Sequence, residues 1–368
     1  MTTDEKYMHM AVALARKGAG LVNPNPMVGA LLLKDGRIIG KGYHQFFGGP
    51  HAEINAISNA TETVEGATLY VTLEPCTHQG KTPPCAPLIV EQGIRKVIIG
   101  MDDPNPIVKG TGIEYLLSKG ITVHTGVLRD EISRMNEAFG KFIQTGIPFC
   151  NLKTAMTLDG KIATITNASR WISGEKSRRY VHELRQQVSG ILVGADTIIY
   201  DDPLLNTRRG RKRSKDPLKI IADTRCRIPL ESKVLTHNPQ LTILASTELA
   251  EKSKIREINR LGAQTLICPV KKNKVDLVFL VESLGKMGIE SILIEGGSTL
   301  AFTALKEKIV DKVTSFISPK LLGGKLAPTP VGGEGIKKMN DAINISGWKF
   351  RRMGEDILVE GYIKNNEL

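Results

Sequence analysis

The tripeptide Gly146-Ile147-Pro148 interrupts a chain of 368 residues that otherwise alternates short apolar runs with longer amphipathic ones. That alternation narrows the fold more than any other feature. Strands separated by helices pack as an α/β layered domain, because each helix must bury its apolar stripe against a sheet. A glycine followed by a residue that proline keeps out of the helical region ends one helix and begins a new chain direction. The length also exceeds what one core usually organises. Two α/β domains are therefore expected, residues 1–146 and 147–368.

Within the first half, Tyr7, Met10, Ala11, Leu14 and Ala15 recur at helical spacing over residues 4–17. Thr2 and Glu5 are placed as a capping box, and Gly18 and Gly20 as the stop. Strands are expected at MVGALLL, RIIGKGYH, ATLYVTLE, KVIIGM and ITVHTG, and helices at HAEINAISNA, PPCAPLIVEQG, GIEYLLSKG and residues 130–145. In the second half CNLKTAMT, SGILVGA, LKIIAD, LTILAS, SILIEGG, VTSFISPKLL and ILVEGYIK continue the series, with no repeat joining the halves. The Gly- and Pro-rich residues 320–335 are expected to form a long functional or mobile loop.

Into this frame the sequence sets His51-x-Glu53 after a Gly-Gly-Pro turn, then Pro75-Cys76 and, after eight intervening residues, Cys85. Zinc takes imidazole and thiolate readily, and a catalytic zinc keeps a fourth position open. His51, Cys76 and Cys85 offer three ligands with no fourth Cys or His at ligand spacing. Glu53 is then placed to carry a proton between water and a substrate nitrogen. Helix starts at the histidine and the second cysteine would turn positive dipole ends toward the site and favour thiolate. Singly these residues carry little: His-x-Glu is common, and the two cysteines could be a disulfide or inert thiols. In this order, with Pro75, they match the H-x-E then P-C arrangement of zinc nucleobase deaminases. Cys150, Cys226 and Cys268 are read as packed thiols.

Composition removes several classes. The 41% hydrophobic and 24% charged fractions are those of a globular protein, and no apolar run approaches the about 20 residues a bilayer requires, so no membrane partner is expected. The N-terminus MTTDEKYMHM lacks the basic-then-apolar order of a secretion signal, and five cysteines make no disulfide framework. A cytoplasmic location is expected. The net charge of +12 would suit nucleic acid, yet it concentrates in residues 206–219, where no aromatic side chain could stack a base. No nucleic-acid partner is expected.

The eight residues THQGKTPP between the cysteines, in place of the usual two, set Lys81 and Thr82 beside the metal ligands. With NPNPMVG upstream and DDPNP at 102–106, the first half resembles the pyrimidine deaminase of riboflavin biosynthesis. The whole chain resembles the bacterial bifunctional diaminohydroxyphosphoribosylaminopyrimidine deaminase/5-amino-6-(5-phosphoribosylamino)uracil reductase. That resemblance implies a cytidine-deaminase-like N-terminal domain and a dihydrofolate-reductase-like C-terminal domain. It implies Zn2+ and NADPH as cofactors, phosphoribosylaminopyrimidines as substrates, and a homo-oligomer. The implied reactions are hydrolytic deamination of 2,5-diamino-6-(5-phosphoribosylamino)pyrimidin-4(3H)-one, then reduction of the ribosyl to the ribityl chain. Carried over by position, Asn25 reads the pyrimidine, or only shapes the NPNP turn. His44, Lys81, Thr82 and Asn105 meet sugar and phosphate.

SILIEGGSTLAFTAL reads as a buried strand, a Gly-Gly turn and a helix start, a geometry that aims backbone N–H groups at a phosphate. A Gly-Gly turn alone is a weak signal. The resemblance assigns Gly297, Ser298, Thr299, Leu300, Ala301, Phe302 and Thr303 to NADP, together with Ala155, Trp171, Thr197, Asp201 and Thr224. Trp171 could equally be a core residue, and Asp201 could merely open a turn. Ser169, Arg185, Leu205, Arg208 and Glu295 are assigned to the phosphoribosyl substrate, and the two arginines suit a phosphate through paired, charge-assisted hydrogen bonds. Lys153 is the catalytic candidate at the reacting end, with a surface lysine as the alternative. Two other classes share parts of the pattern. An enzyme acting on bases in nucleic acid would have the zinc motif without the dinucleotide loop, and a zinc-stabilised binding module would need no Glu53.

Overall fold

The structure, a computed structural model, describes residues 1–79, 83–207 and 215–364. The expectations for Lys81, Thr82 and Arg208 lie outside the described residues. The chain folds into two compact units, Met1–Gly146 and Ile147–Leu368. Among the described residues no helix is long and apolar enough to cross a membrane.

The first unit is a five-stranded sheet in the order β2-β1-β3-β4-β5. Its strands are β1 (Gly29–Lys34), β2 (Arg37–Tyr43), β3 (Thr68–Leu73), β4 (Lys96–Met101) and β5 (Thr122–Thr125). β1 runs antiparallel to β2 and β3, while β3, β4 and β5 are parallel. Successive residues explain why these strands read as continuous apolar runs. Ala30 and Leu32 enter one core layer and Leu31 and Leu33 the other, so both faces are covered. The helix Thr3–Ala15, with the Thr2/Glu5 capping box formed, covers one face. The helices Ala52–Ser58 and Cys85–Glu91 cover the other.

Gly42 sets how close the helix Ala52–Ser58 comes. A Cβ there would stand 2.2 Å from the Ala52 carbonyl oxygen and 2.3 Å from the Ala56 nitrogen, so no larger residue fits. The single helix expected over residues 130–145 is instead two, Arg129–Met135 and Glu137–Thr145. Asn136 at the break accepts the Met27 N–H at 2.8 Å and donates to the Met27 carbonyl at 3.0 Å. Its side chain bonds a distant strand entrance rather than its own helix, a tertiary demand that periodicity cannot show.

The second unit holds a nine-stranded sheet, β10-β9-β8-β7-β13-β6-β14-β16-β15. In chain order these are β6 (Phe149–Thr157), β7 (Gly190–Gly194), β8 (Leu218–Ala222), β9 (Thr242–Ser246) and β10 (Gln264–Ile267), then a small hairpin of β11 (Val270–Lys271) and β12 (Lys274–Val275). β13 (Ser291–Glu295), β14 (Lys312–Ser318), β15 (Ile345–Met353) and β16 (Asp356–Ile363) follow. All neighbours from β10 to β14 are parallel, and β16 and β15 close the edge antiparallel. Ile292 and Ile294 of β13 face one core layer and Leu293 the other. Among the elements not expected from the sequence are the charged helix Glu175–Gln187 and β15, which is exposed along nearly all its length.

Gly42→Ala is expected to destabilise the first unit by about 1–3 kcal/mol, the usual consequence of forcing a methyl into a packed core. Thermal melting followed by circular dichroism reads this as a lowered transition, with loss of the chemistry carried by the adjacent helix.

Candidate active sites

Two helix starts and one strand end build the first site. His51 is the N-cap of Ala52–Ser58, Cys85 is the first residue of Cys85–Glu91, and Cys76 follows β3 by three residues. His51 Nδ1 stands 3.3 Å from Cys85 Sγ and 3.6 Å from Cys76 Sγ. The three donor atoms lie within 4.8 Å of one another. A tetrahedral zinc with ordinary Zn–N and Zn–S bonds needs N···S edges of about 3.5 Å, so the donor set fits without rearrangement. The Cys85 N–H also donates to Cys76 Sγ at 3.4 Å. Hydrogen bonding from Cys85 and His51 holds the Cys76 thiol down at about 4, and the same contact with Cys76, together with burial, pushes Cys85 up. The pair thus readily yields one thiolate even before a cation is considered.

Glu53, in the first turn of the histidine's helix, is buried, and burial pushes its carboxyl up to about 7 against the pull of His51. A carboxyl poised there can both accept and release a proton near neutrality. Around it, Asn25 Nδ2 and His44 Nε2 are 3.2 Å apart, the Pro50 carbonyl holds His44 Nδ1 at 3.0 Å, and the His44 and His51 rings meet edge-on at 5.6 Å. Burial lowers the His44 pKa, favouring the neutral ring.

The second site is a cleft of about 890 Å³. It opens at the carboxyl ends of parallel strands, where Gly194 ends β7, Ala222 ends β8, and Gly296 follows β13. Small molecules bind in open α/β sheets at this edge. Gly296 and Gly297 have φ of 67° and 59°, and a Cβ on Gly296 would stand 2.6 Å from Thr197 Oγ1. The helix Ser298–Lys306 starts here with no side-chain cap, leaving its first N–H groups to the cleft. Such a start suits a dinucleotide phosphate.

Residues 148–359 match the family described as RibD C-terminal domain, and residues 1–101 match the cytidine and deoxycytidylate deaminase zinc-binding region. The riboflavin biosynthesis protein RibD of Actinobacillus pleuropneumoniae is 44% identical over 97% of this chain and 95% of its own. The chain belongs to the RibD family. RibD of Acinetobacter baumannii (form 1) superposes with a TM-score of 0.87 at 34% identity, covering 98% of this chain and 99% of that one. The Thermotoga maritima diaminohydroxyphosphoribosylaminopyrimidine deaminase/5-amino-6-(5-phosphoribosylamino)uracil reductase gives 0.84 at 37% identity, covering 98% of each. The two units have the cytidine-deaminase-like and dihydrofolate-reductase-like folds of the RibD family.

Most residues expected in this RibD-type cleft meet there. Ala155, Ser169, Trp171, Thr197, Asp201, Leu205, Thr224, Gly297, Ser298, Thr299, Leu300, Ala301 and Thr303 line it. Trp171 is 60% exposed under the Arg178 guanidinium and so is no core residue. Phe302 does not line the cleft; its ring packs so closely on Gly333 that a Cβ there would stand 2.2 Å from it. Glu295 lies beneath the floor instead of lining it. Lys153 and Glu295 are register partners on β6 and β13, with Lys153 Nζ 3.0 Å from Glu295 Oε2. Arg185 reaches over from Glu175–Gln187 and donates to both Glu295 oxygens, Nε at 2.7 Å and a terminal nitrogen at 2.9 Å. Lys153 is therefore not a surface lysine, and Arg185, with one edge of its guanidinium paired to Glu295, also lines the cleft.

The two cations hold the Glu295 carboxyl well below the usual carboxylate range despite its burial. A depressed carboxyl contributes stability at and above its unfolded value, and the contribution disappears as pH falls toward the folded one. Glu295→Gln is expected to cost about 3 kcal/mol at pH 7, near the low end for a broken buried pair because both cations also meet the cleft. Denaturation at several pH values should show the gap between parent and variant full at neutrality and narrowing below about pH 4.

Proposed function

We propose that the first unit carries the deaminase and the second the reductase of this enzyme. Its RibD membership makes it a bifunctional deaminase and reductase of riboflavin biosynthesis acting on pyrimidine substrates, with zinc and NADPH as cofactors. The substrate proposed for the first unit is 2,5-diamino-6-(5-phosphoribosylamino)pyrimidin-4(3H)-one, and its product passes to the second for reduction of the ribosyl chain. One observation carries the residue assignment: three ligand atoms converge beside a buried carboxyl.

In this reading His51 Nδ1, Cys76 Sγ and Cys85 Sγ hold zinc. Zinc supplies the Lewis acidity that makes water nucleophilic near neutral pH. Glu53 accepts a proton from the attacking water and returns it to the departing amino nitrogen, which leaves as ammonia. Asn25 and the neutral His44 ring it touches orient the pyrimidine and sugar, and Asn105 meets the sugar-phosphate end. In the second unit the cofactor, when bound, would supply a hydride to C1′ as the C1′–O4′ bond of the ribosyl ring opens. The N–H groups at the start of Ser298–Lys306 take a cofactor phosphate, and Trp171 and Thr197 wall its binding place. Lys153 supplies the proton that balances the hydride, delivered to the ring oxygen O4′, and Glu295 holds the ammonium in place. Arg185, paired with Glu295 and lining the cleft, meets the phosphoribosyl substrate. Arg208 remains the candidate for the substrate phosphate, on sequence grounds. We further propose a cytoplasmic homo-oligomer without nucleic-acid partners. The exposed Ile345, Trp348 and Phe350 along the edge strand β15 support self-association.

Cys85→Ser is expected to remove zinc and deamination together while reduction of the deaminated intermediate continues. Metal analysis of the parent protein that finds no zinc would defeat the ligand assignment. Glu53→Gln keeps shape and should keep zinc, yet lose about 10²–10⁴ in deamination rate. Near-parental turnover in that variant would remove Glu53 from the proton path.

A further inference from the structure

Glu74 carries no signal in the sequence beyond its place before Pro75, yet its carboxylate is the most heavily used acceptor near the first site. The side chain is 3% exposed. Oε2 accepts the backbone N–H groups of Asp103 at 3.1 Å and Gly110 at 3.0 Å. Oε1 accepts those of Gly112 at 2.9 Å and Ile113 at 3.3 Å. These donors bracket the whole connection from β4 to the helix Thr111–Ser118, and the last two lie in that helix's first turn, where negative charge is favoured.

The clamp extends to both sides. Asp103 Oδ1 accepts the Asn105 N–H at 2.8 Å, and Asn105 Oδ1 accepts the Ile107 N–H at 3.1 Å. On the other side the helix start rests on the metal-ligand segment: a Cβ on Gly112 would stand 2.0 Å from the Pro75 carbonyl oxygen. Glu74 and Cys76 are two residues apart at the end of β3. A single buried carboxyl group therefore ties the loop of Asn105 to the strand end that presents Cys76. All four contacts need an acceptor, and the glutamate side chain offers one on each oxygen. Glutamine would turn an NH2 toward two of the four N–H groups.

We propose that Glu74 is a positioning residue of the deaminase, fixing Asn105 and its loop relative to Cys76 so that the substrate's sugar-phosphate end and its reacting ring are held in one register. The proposal rests on the deaminase reading of the first unit.

The test uses the full chain loaded with zinc. Glu74→Gln is expected to retain zinc and full reductase turnover while the deaminase KM rises about tenfold to a hundredfold, the size of one or two lost charge-assisted hydrogen bonds, with kcat little changed. Asn105→Ala should raise KM likewise, and the double variant should rise no further, since Glu74 acts through that loop. Gly112→Ala keeps the carboxylate but strains the same contact and should move KM in the same direction, even if Glu74→Gln folds poorly. A parental KM in Glu74→Gln or in Asn105→Ala, effects that multiply in the double variant, or a kcat loss that tracks lost zinc would each overturn the proposal. A parent enzyme that releases no ammonia would instead overturn the deaminase reading itself.

Discussion

Apolar residues on alternate faces of the central strands fill core layers on both sides of each sheet, and this governs where chemistry can occur. With Ala30 and Leu31, or Ile292 and Leu293, pointing into opposite core layers, small molecules meet the sheets chiefly toward the strand ends, as at Lys153 and Ala155 of β6, and at the helix starts that face them. His51, Cys76 and Cys85 occupy such positions in one unit, and Gly296 with the start of Ser298–Lys306 occupies them in the other. The backbone contributes as much as the side chains there, because a helix start leaves N–H groups unpaired and a positive potential.

Three buried glutamates show how surroundings divide one residue type among three tasks. Glu53 has one imidazole and the Cys76 and Cys85 sulfurs nearby, so burial dominates and its carboxyl rises to about 7. Glu295 is equally buried but lies between Lys153 and Arg185, and the two cations keep it ionised. Four backbone N–H groups satisfy Glu74, with no ion pair among the described residues. A raised carboxyl, an ion-paired one and one held by backbone N–H groups thus follow from the number and kind of neighbours, at nearly the same exposure.

The same comparison limits what a family resemblance can assign. Arg185, which the resemblance assigns to the phosphoribosyl substrate, lines the cleft but also pairs one edge of its guanidinium with Glu295, a contact the resemblance does not give. Phe302 lies within the expected cofactor run yet turns its ring to Gly333, since consecutive residues of a helix face different directions. Trp171, with core as its alternative, is exposed and lines the cleft.

Local chemistry was legible from the chain alone. The Thr2/Glu5 capping box, the apolar runs of β1, β3, β4 and β13, and the turn at Gly146 depend on neighbours within a few residues, and each reads directly. The His51, Cys76 and Cys85 cluster was legible for a different reason: zinc demands particular donor atoms, and few residue types supply them, so order and spacing pointed to residues that the fold brings together. Tertiary structure alone decided the break at Asn136, the Lys153–Glu295–Arg185 cluster and the clamp at Glu74. In each, the partner is remote in sequence or is a backbone N–H. A backbone donor has no letter of its own, and a partner more than a hundred residues away leaves no period to read.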